Sequence, residues 1–219
     1  MGKASGKHSA PVWRTGNTST VRHTGAFIIV GIALIAVAVA MVTSGVFADL
    51  TASQASAKVL AQLDEVRPEP HAATMRKRER GEDWLGREES DSMPTIVIDG
   101  YEYLGSLHIA SLDLNLPVAA DINDELLRRS PCRYQGSYVY SDLVICGQGY
   151  ASHFGRMTSL GIRDTVRFVA ADGATYDYIV SNVETDDVDE LDAILHDWDL
   201  TLFTFNADGT CLVVRCVLK

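Results

Sequence analysis

From Gly25 to Val42 every residue is apolar, and Val46-Phe47-Ala48 extends the run past a small break at Thr43-Ser44-Gly45. A helix rises 1.5 Å per residue, so roughly 20 apolar residues span a hydrocarbon core. The pattern predicts a transmembrane anchor over residues 25–48. A basic tail over 1–24, with Arg14 and Arg22, precedes it, and Asp49 follows it. By the positive-inside rule the tail is cytoplasmic and everything from residue 49 onward lies outside the cell. The basic run Arg76-Lys77-Arg78 with Arg80 is too far from the helix end to reverse that orientation and reads as a solvated linker. Val46-Phe47-Ala48 also offers a signal-peptidase site, but the run is long for a cleaved signal, so an uncleaved anchor is expected.

Beyond the anchor, Asp49 or Thr51 is placed to cap a helix running to about Val66, where Pro68 and Pro70 stop it. Val59, Leu60, Leu63 and Val66 give it a weak apolar stripe, which reads as a solvated stalk without a partner. Residues 71–92 are dense in charge and aperiodic, the pattern of a flexible tether. Residues 49–92 therefore form a helical stalk and charged linker. From residue 93 the texture changes, and no internal repeat is visible. Short runs rich in Val, Ile, Leu and Tyr predict strands over Tyr101–Ile109, Leu143–Cys146, Thr165–Ala170, Thr175–Val183, Leu200–Thr204 and Leu212–Val217. Asp99-Gly100, Asp172-Gly173 and Asp208-Gly209 supply turns, with the second flanked by strand sequence on both sides. Asn123–Arg129 and Val188–Leu195 read as short helices. Residues 93–219 thus form a mainly β domain, a closed or nearly closed barrel with a few helices.

Composition narrows the function. The net charge is −10, yet the first 48 residues hold four basic residues and no acid, which leaves the remainder at −14. An acidic domain repels phosphate backbones, so nucleic acid is not an expected partner. Four cysteines in an exported domain raise disulfides, and three pairings exist; buried free thiols are an equal alternative, since a domain this size needs no staples.

Five stretches, in order, resemble the sortases, the cysteine transpeptidases of Gram-positive cell surfaces. Leu107-His108-Ile109-Ala110 with Leu116-Pro117-Val118 is similar to the family's opening strand pair. Pro131 through Ser137 is similar to the approach to its active-site strand. Leu143 through Tyr150, followed by Ser152-His153-Phe154-Gly155, resembles the segment carrying its histidine. Leu200 through Phe205 resembles the strand ending in its cysteine, and Leu212 through Cys216 the last strand, which normally begins with its arginine. The resemblance covers roughly residues 100–219. It implies an eight-stranded barrel with short helices, and a reaction that cleaves a C-terminal sorting signal through a thioacyl enzyme resolved by an amine of the cell wall or a pilin.

That reaction needs a thiolate nucleophile, a group that moves protons near neutral pH, and a donor for the oxyanion. Carried over residue by residue, the histidine falls on Gln148, the cysteine on Phe205 and the arginine on Cys211. An amide does not shuttle protons at pH 7, a phenyl ring has no nucleophilic atom, and a thiol carries no forked cationic donor set. Ile162-Arg163-Asp164 stands where the family has a Pro-Gly-Asp-like turn, and Ala110 where it has proline. The expectation is a scaffold kept and a chemistry lost: a pseudo-sortase that binds a sorting-signal peptide or a cell-envelope or pilus-assembly partner.

Two alternatives stand beside it. One is an active cysteine transpeptidase or hydrolase with a relocated thiol, Cys211 or Cys146, and His153 as base. Cys146 is two residues before Gln148 and so shares its face on an extended strand. Against that, both cysteines suit a barrel interior. The other alternative is a purely structural envelope protein. By the resemblance, Cys132 and Cys216 occupy positions where relatives often have cysteine, which implies a structural role. The acidic run Glu184–Glu190 invites calcium, as in some sortases, but lacks the pattern of a dedicated loop, and the acid-rich start of a helix explains it. No metal and no cofactor are expected.

Overall fold

The computed structural model describes residues 21–73, 93–188 and 197–219. The basic tail up to residue 20, most of the charged tether and all of the helix expected over Val188–Leu195 beyond its first residue lie outside the described residues. The chain divides into two compact units, Met1–Ser44 and Gly45–Lys219.

Helix α1 (Val21–Val66) contributes to both units. Its apolar portion is the one helix among the described residues long and apolar enough to cross a bilayer. Mean hydropathy there reaches 2.4 with none of the span buried, as for a single-pass membrane anchor. The small break at Thr43-Ser44-Gly45 does not end the helix. Thr43 Oγ1 donates to the Ala40 carbonyl at 3.0 Å and Thr51 Oγ1 to the Ala48 carbonyl at 2.8 Å, so both hydroxyls bond back into the helix. The predicted cap at Asp49 or Thr51 is therefore corrected: helix runs through both. After Arg67, whose N–H closes on the Leu63 carbonyl, Pro68 and Pro70 stop the ladder.

In the second unit the helical stretch from Gly45 packs against strands. Ala52, Ser56, Val59 and Leu63, at helical spacing, are all buried, while Val66 is 64% exposed. Val59 and Leu63 pack with Ile98, Tyr103, Ala119, Leu126 and Cys132. Arg67 donates to Ser106 Oγ at 2.8 Å, and Lys58 pairs with Asp99 at 2.6 Å. The solvated-stalk reading is corrected accordingly. Its stripe is one of small and medium side chains, Ala52 and Ser56 included, and so looked weak by hydrophobicity alone.

Ten strands follow in chain order: β1 (His71–Ala72), β2 (Ile96–Ile98), β3 (Tyr101–Ile109), β4 (Leu114–Ala119), β5 (Cys132–Gln135), β6 (Leu143–Cys146), β7 (Thr165–Ala170), β8 (Ala174–Asp187), β9 (Leu200–Phe205) and β10 (Thr210–Leu218). Pairing runs β8–β10–β9–β6–β5–β4–β3 and closes because β7 pairs with both β3 and β8, which makes an eight-stranded barrel. β1 lies parallel on β8 and β2 antiparallel on β3, outside the ring. The pairing of β1 corrects the start of the expected tether. His71 N donates to the Gly173 carbonyl at 2.9 Å, so backbone bonding holds residues that hydropathy reads as loop. Short helix α2 (Asp124–Leu127) starts at Asn123, whose Oδ1 accepts from the backbone N–H groups of Glu125 and Leu126.

Asp99 and Gly100, with φ of 51° and 84°, make the two-residue turn between β2 and β3. A bulge at Gly105 then splits the faces of β3. Its φ of 149° suits glycine, and a Cβ there would lie 2.1 Å from the Val169 carbonyl oxygen. Leu104, Leu107 and Ile109 consequently turn into the barrel, while Tyr103 turns out to meet Val59 and Leu63. The core is filled by these residues with Leu143, Ile145, Phe168, Tyr178, Leu200, Leu202 and Val214.

Leu63→Ala is expected to lower the unfolding free energy of the full chain by about 3 kcal/mol, and Val66→Ala by less than about 0.5 kcal/mol. Equal effects in denaturant unfolding would show that the helix is not docked.

Candidate functional site

The centre of the barrel wall is the parallel pair β6–β9, in which Cys146 aligns with Phe203, and β10 continues it with Cys211 opposite Phe205. Past the end of β6, Gly147 N donates to the Phe203 carbonyl at 3.0 Å. A Cβ on Gly149 would stand 3.7 Å from the Phe205 carbonyl oxygen. Gln148 is thus bracketed by two residues that touch the end of β9. The three positions taken from the resemblance, Gln148, Phe205 and Cys211, converge at one end of β6–β9–β10, although 57 residues separate the first two in the chain.

There they present an amide, a phenyl ring and a thiol. Phe205 is 46% exposed and Cys211 fully buried. Burial pushes the Cys211 thiol up to about 11, with Asp186 adding to the effect, and pushes the Cys146 thiol to about 12. Neither carries a useful thiolate fraction near neutral pH. Val144, Cys146, Phe203, Cys211 and Val213 form a small apolar layer on the outside of the barrel wall, with Leu127 and Val188 packed against it. Phe203 meets Phe205 edge to face at 5.5 Å and Tyr134 of β5 in the same way at 5.2 Å. The result is an aromatic surface with Phe205 and Tyr134 partly exposed at its margin.

His153 lies elsewhere. It is fully buried, with Nε2 3.3 Å from Ser56 Oγ on α1 and its ring 5.6 Å from that of Tyr150. Ser56 Oγ donates to the Arg129 carbonyl at 2.7 Å, so its proton is already committed. Burial lowers the imidazole pKa to about 4, against the upward pull of Asp49 and the Arg129 backbone. Asp49 in turn accepts from Ser152 N and Oγ. Gly147 lies against the Phe154 ring, where a Cβ would come within 2.5 Å, which fixes the loop beyond β6. The structure thus draws Cys146 and Cys211 into one layer and sets His153 against α1; no hydrogen bond joins that imidazole to a thiol. A cavity of about 320 Å³ lies near His153, lined by Ser53, Ser56, Asn115, Ser152 and Arg156, and none of the three converging positions lines it.

The acidic run is also corrected. Glu184 through Asp187 belong to β8, not to the start of a helix. Glu184 pairs with Arg215 of β10, and Asp186 lies 4.0 Å from the same guanidinium. Arg215 also stacks over Trp198, 5.7 Å from its ring centroid. The sequence reading missed Arg215 and Tyr134 as members of this face. Alternation from Cys211 through Val213 to Arg215 carried the signal for one; Tyr134, a single aromatic in a four-residue strand, carried none.

No protein-family model matches the chain, and no curated protein does. Among solved structures it is similar to sortase C1 of Streptococcus agalactiae, at 22% identity over 56% of this chain and 70% of that one, with a TM-score of 0.49. It is similar to Clostridium perfringens sortase C solved with the C-terminal cell wall sorting motif, at 18% identity over 53% and 70%, with a TM-score of 0.47. A Clostridium perfringens sortase D5 transpeptidase is similar at 13% identity over 57% and 82%, with a TM-score of 0.48. Reaction and ligand do not follow from likeness at this level.

The low pKa of His153 fixes a pH dependence. The folded imidazole binds its proton near pH 4 and the unfolded one near 6.5, so the unfolded state holds more protons between those values. Stability is full above about pH 6.5 and falls by roughly 3 kcal/mol as pH drops to 4. Urea unfolding across that range is expected to show the slope in the native chain and a flattened one in His153→Asn.

Proposed function

We propose that this chain is a membrane-anchored, sortase-like protein that has lost catalysis and binds a peptide, a sorting signal or a segment of a cell-envelope partner, outside the membrane. The observation that carries the reading is the convergence of Gln148, Phe205 and Cys211 at one end of β6–β9–β10 with no thiolate, no proton shuttle and no cation among them. The order of the sortase-like stretches supports the scaffold. The four basic residues before residue 49, against the acidic remainder, support a cytoplasmic N-terminus and an extracellular barrel. The partly exposed Phe205 and Tyr134 beside buried Phe203 supply the apolar, aromatic contact area that an extended peptide needs in place of covalent capture.

The full chain in detergent micelles is expected to bind synthetic peptides spanning C-terminal sorting signals of surface proteins without cleaving them. Phe205→Ala should weaken that binding at least about tenfold, and Cys211→Ala should leave it within about twofold. Cleavage by the native chain, or binding indifferent to Phe205, would sink the proposal. A maleimide is expected to label Cys211 at least about 100-fold more slowly in the folded chain than in urea; fast labelling would revive a relocated thiol enzyme. The combined restoration Gln148→His, Phe205→Cys and Cys211→Arg tests the assignment of the three positions, with thiol-dependent peptide cleavage as the expected gain.

A further inference from the structure

Cys132 and Cys146 are direct cross-strand partners in the antiparallel pair β5–β6. Residues facing each other in such a pair point to the same side, with Cα atoms about 4.5–5.5 Å apart, inside the range a disulfide accepts. Both side chains are fully or almost fully buried, and in the structure both are free thiols. The other pairings fail on topology. Cys211 is separated from Cys146 by the whole of β9, so their Cα atoms stand about 9–10 Å apart. Cys216 packs into the barrel interior with Leu200 and Val180 alongside, on the opposite face of the wall from Cys211. Of the three possible sets of pairs, the strand register leaves one bond.

We propose that Cys132 and Cys146 form a disulfide in the exported protein, while Cys211 and Cys216 remain thiols. The bond rests on the proposed extracellular placement of the barrel, because the oxidant must act there. That oxidant is a disulfide-bonded thiol oxidant of the envelope. One protein thiolate attacks it to give a mixed disulfide, and the second protein thiolate displaces the oxidant's sulfur. The protein loses two protons and two electrons, and the oxidant leaves as a dithiol. In the folded chain burial pushes both thiols to about 12, which makes the exchange slow. The bond therefore forms while β5 and β6 are pairing, before α1 and α2 cover Cys132. It ties β5, which carries Tyr134, to the end of β6 that leads into Gln148, and so braces the aromatic face through its covalent frame.

The test uses the full chain, expressed in the membrane of an exporting host, quenched in acid and then alkylated with N-ethylmaleimide at neutral pH under denaturing conditions without reductant. Peptide mapping is expected to find Cys132 joined to Cys146 and maleimide only on Cys211 and Cys216. Reduction, or Cys132→Ser with Cys146→Ser, is expected to lower the apparent Tm by roughly 5–10 °C. A different pairing overturns the proposal. So do four maleimide adducts combined with no Cys132–Cys146 link when the purified chain is refolded with oxidised glutathione. Four adducts in cells with the link formed on such refolding overturn the extracellular placement instead, and leave the strand geometry standing.

Discussion

The parallel pairing of β6 with β9 is the constraint on which the rest depends. Parallel neighbours need a long crossover, and here the crossover contains β7, β8 and the segment after them. Forming this pair commits the intervening chain to wrap around and close on β3, so barrel closure and site assembly are one event. Long-range pairings of this kind are formed against the entropy of a large loop, and nothing local stabilises them beforehand. The apolar sequence of Leu143–Cys146 and Leu200–Phe203, buried on both faces, supplies the compensation.

The same burial that stabilises the wall keeps its thiols protonated. A thiol at this end of the barrel is a nucleophile only if it ionises, and ionisation requires solvent, a cation or hydrogen-bond donors. Cys211 has an apolar layer on one side and Asp186 as its charged neighbour, both of which oppose the thiolate. The nearby guanidinium that could have favoured it, Arg215, is engaged by Glu184 and Trp198. Charge on this face is spent on holding β8 to β10.

Legibility followed how each element is held. Tyr101–Ile109, Leu143–Cys146 and Thr165–Ala170 are apolar runs between turn signals, and the strands coincide with them. β8 extends past its apolar core because its acids Glu184 and Asp186 pair with Arg215 across strands, which hydropathy does not register. β1, β2 and β5 are too short to show a period. The docking of α1 was hidden for a different reason. A contact built on Ala52, Ser56, Val59 and Leu63 depends on close approach and hydrogen bonds rather than on large side chains. At the site, the resemblance named three positions, of which Phe205 and Cys211 are register partners and Gln148 lies between two glycines at the end of β9. Which way His153 faces was beyond any sequence pattern, since it is set by Ser56, 97 residues away.

The short pairing of β1 with β8 changes what the charged segment after it is. His71–Ala72 is fastened to one side of the barrel wall and Ile96–Ile98 to another, so the chain between them has both ends fixed on the same body. Covalent continuity through residues 74–92 is then not what keeps α1 with the barrel; Val59, Leu63 and the backbone bonds of His71 do that. A chain cut between residues 73 and 93 would leave two fragments that these contacts hold together as one particle.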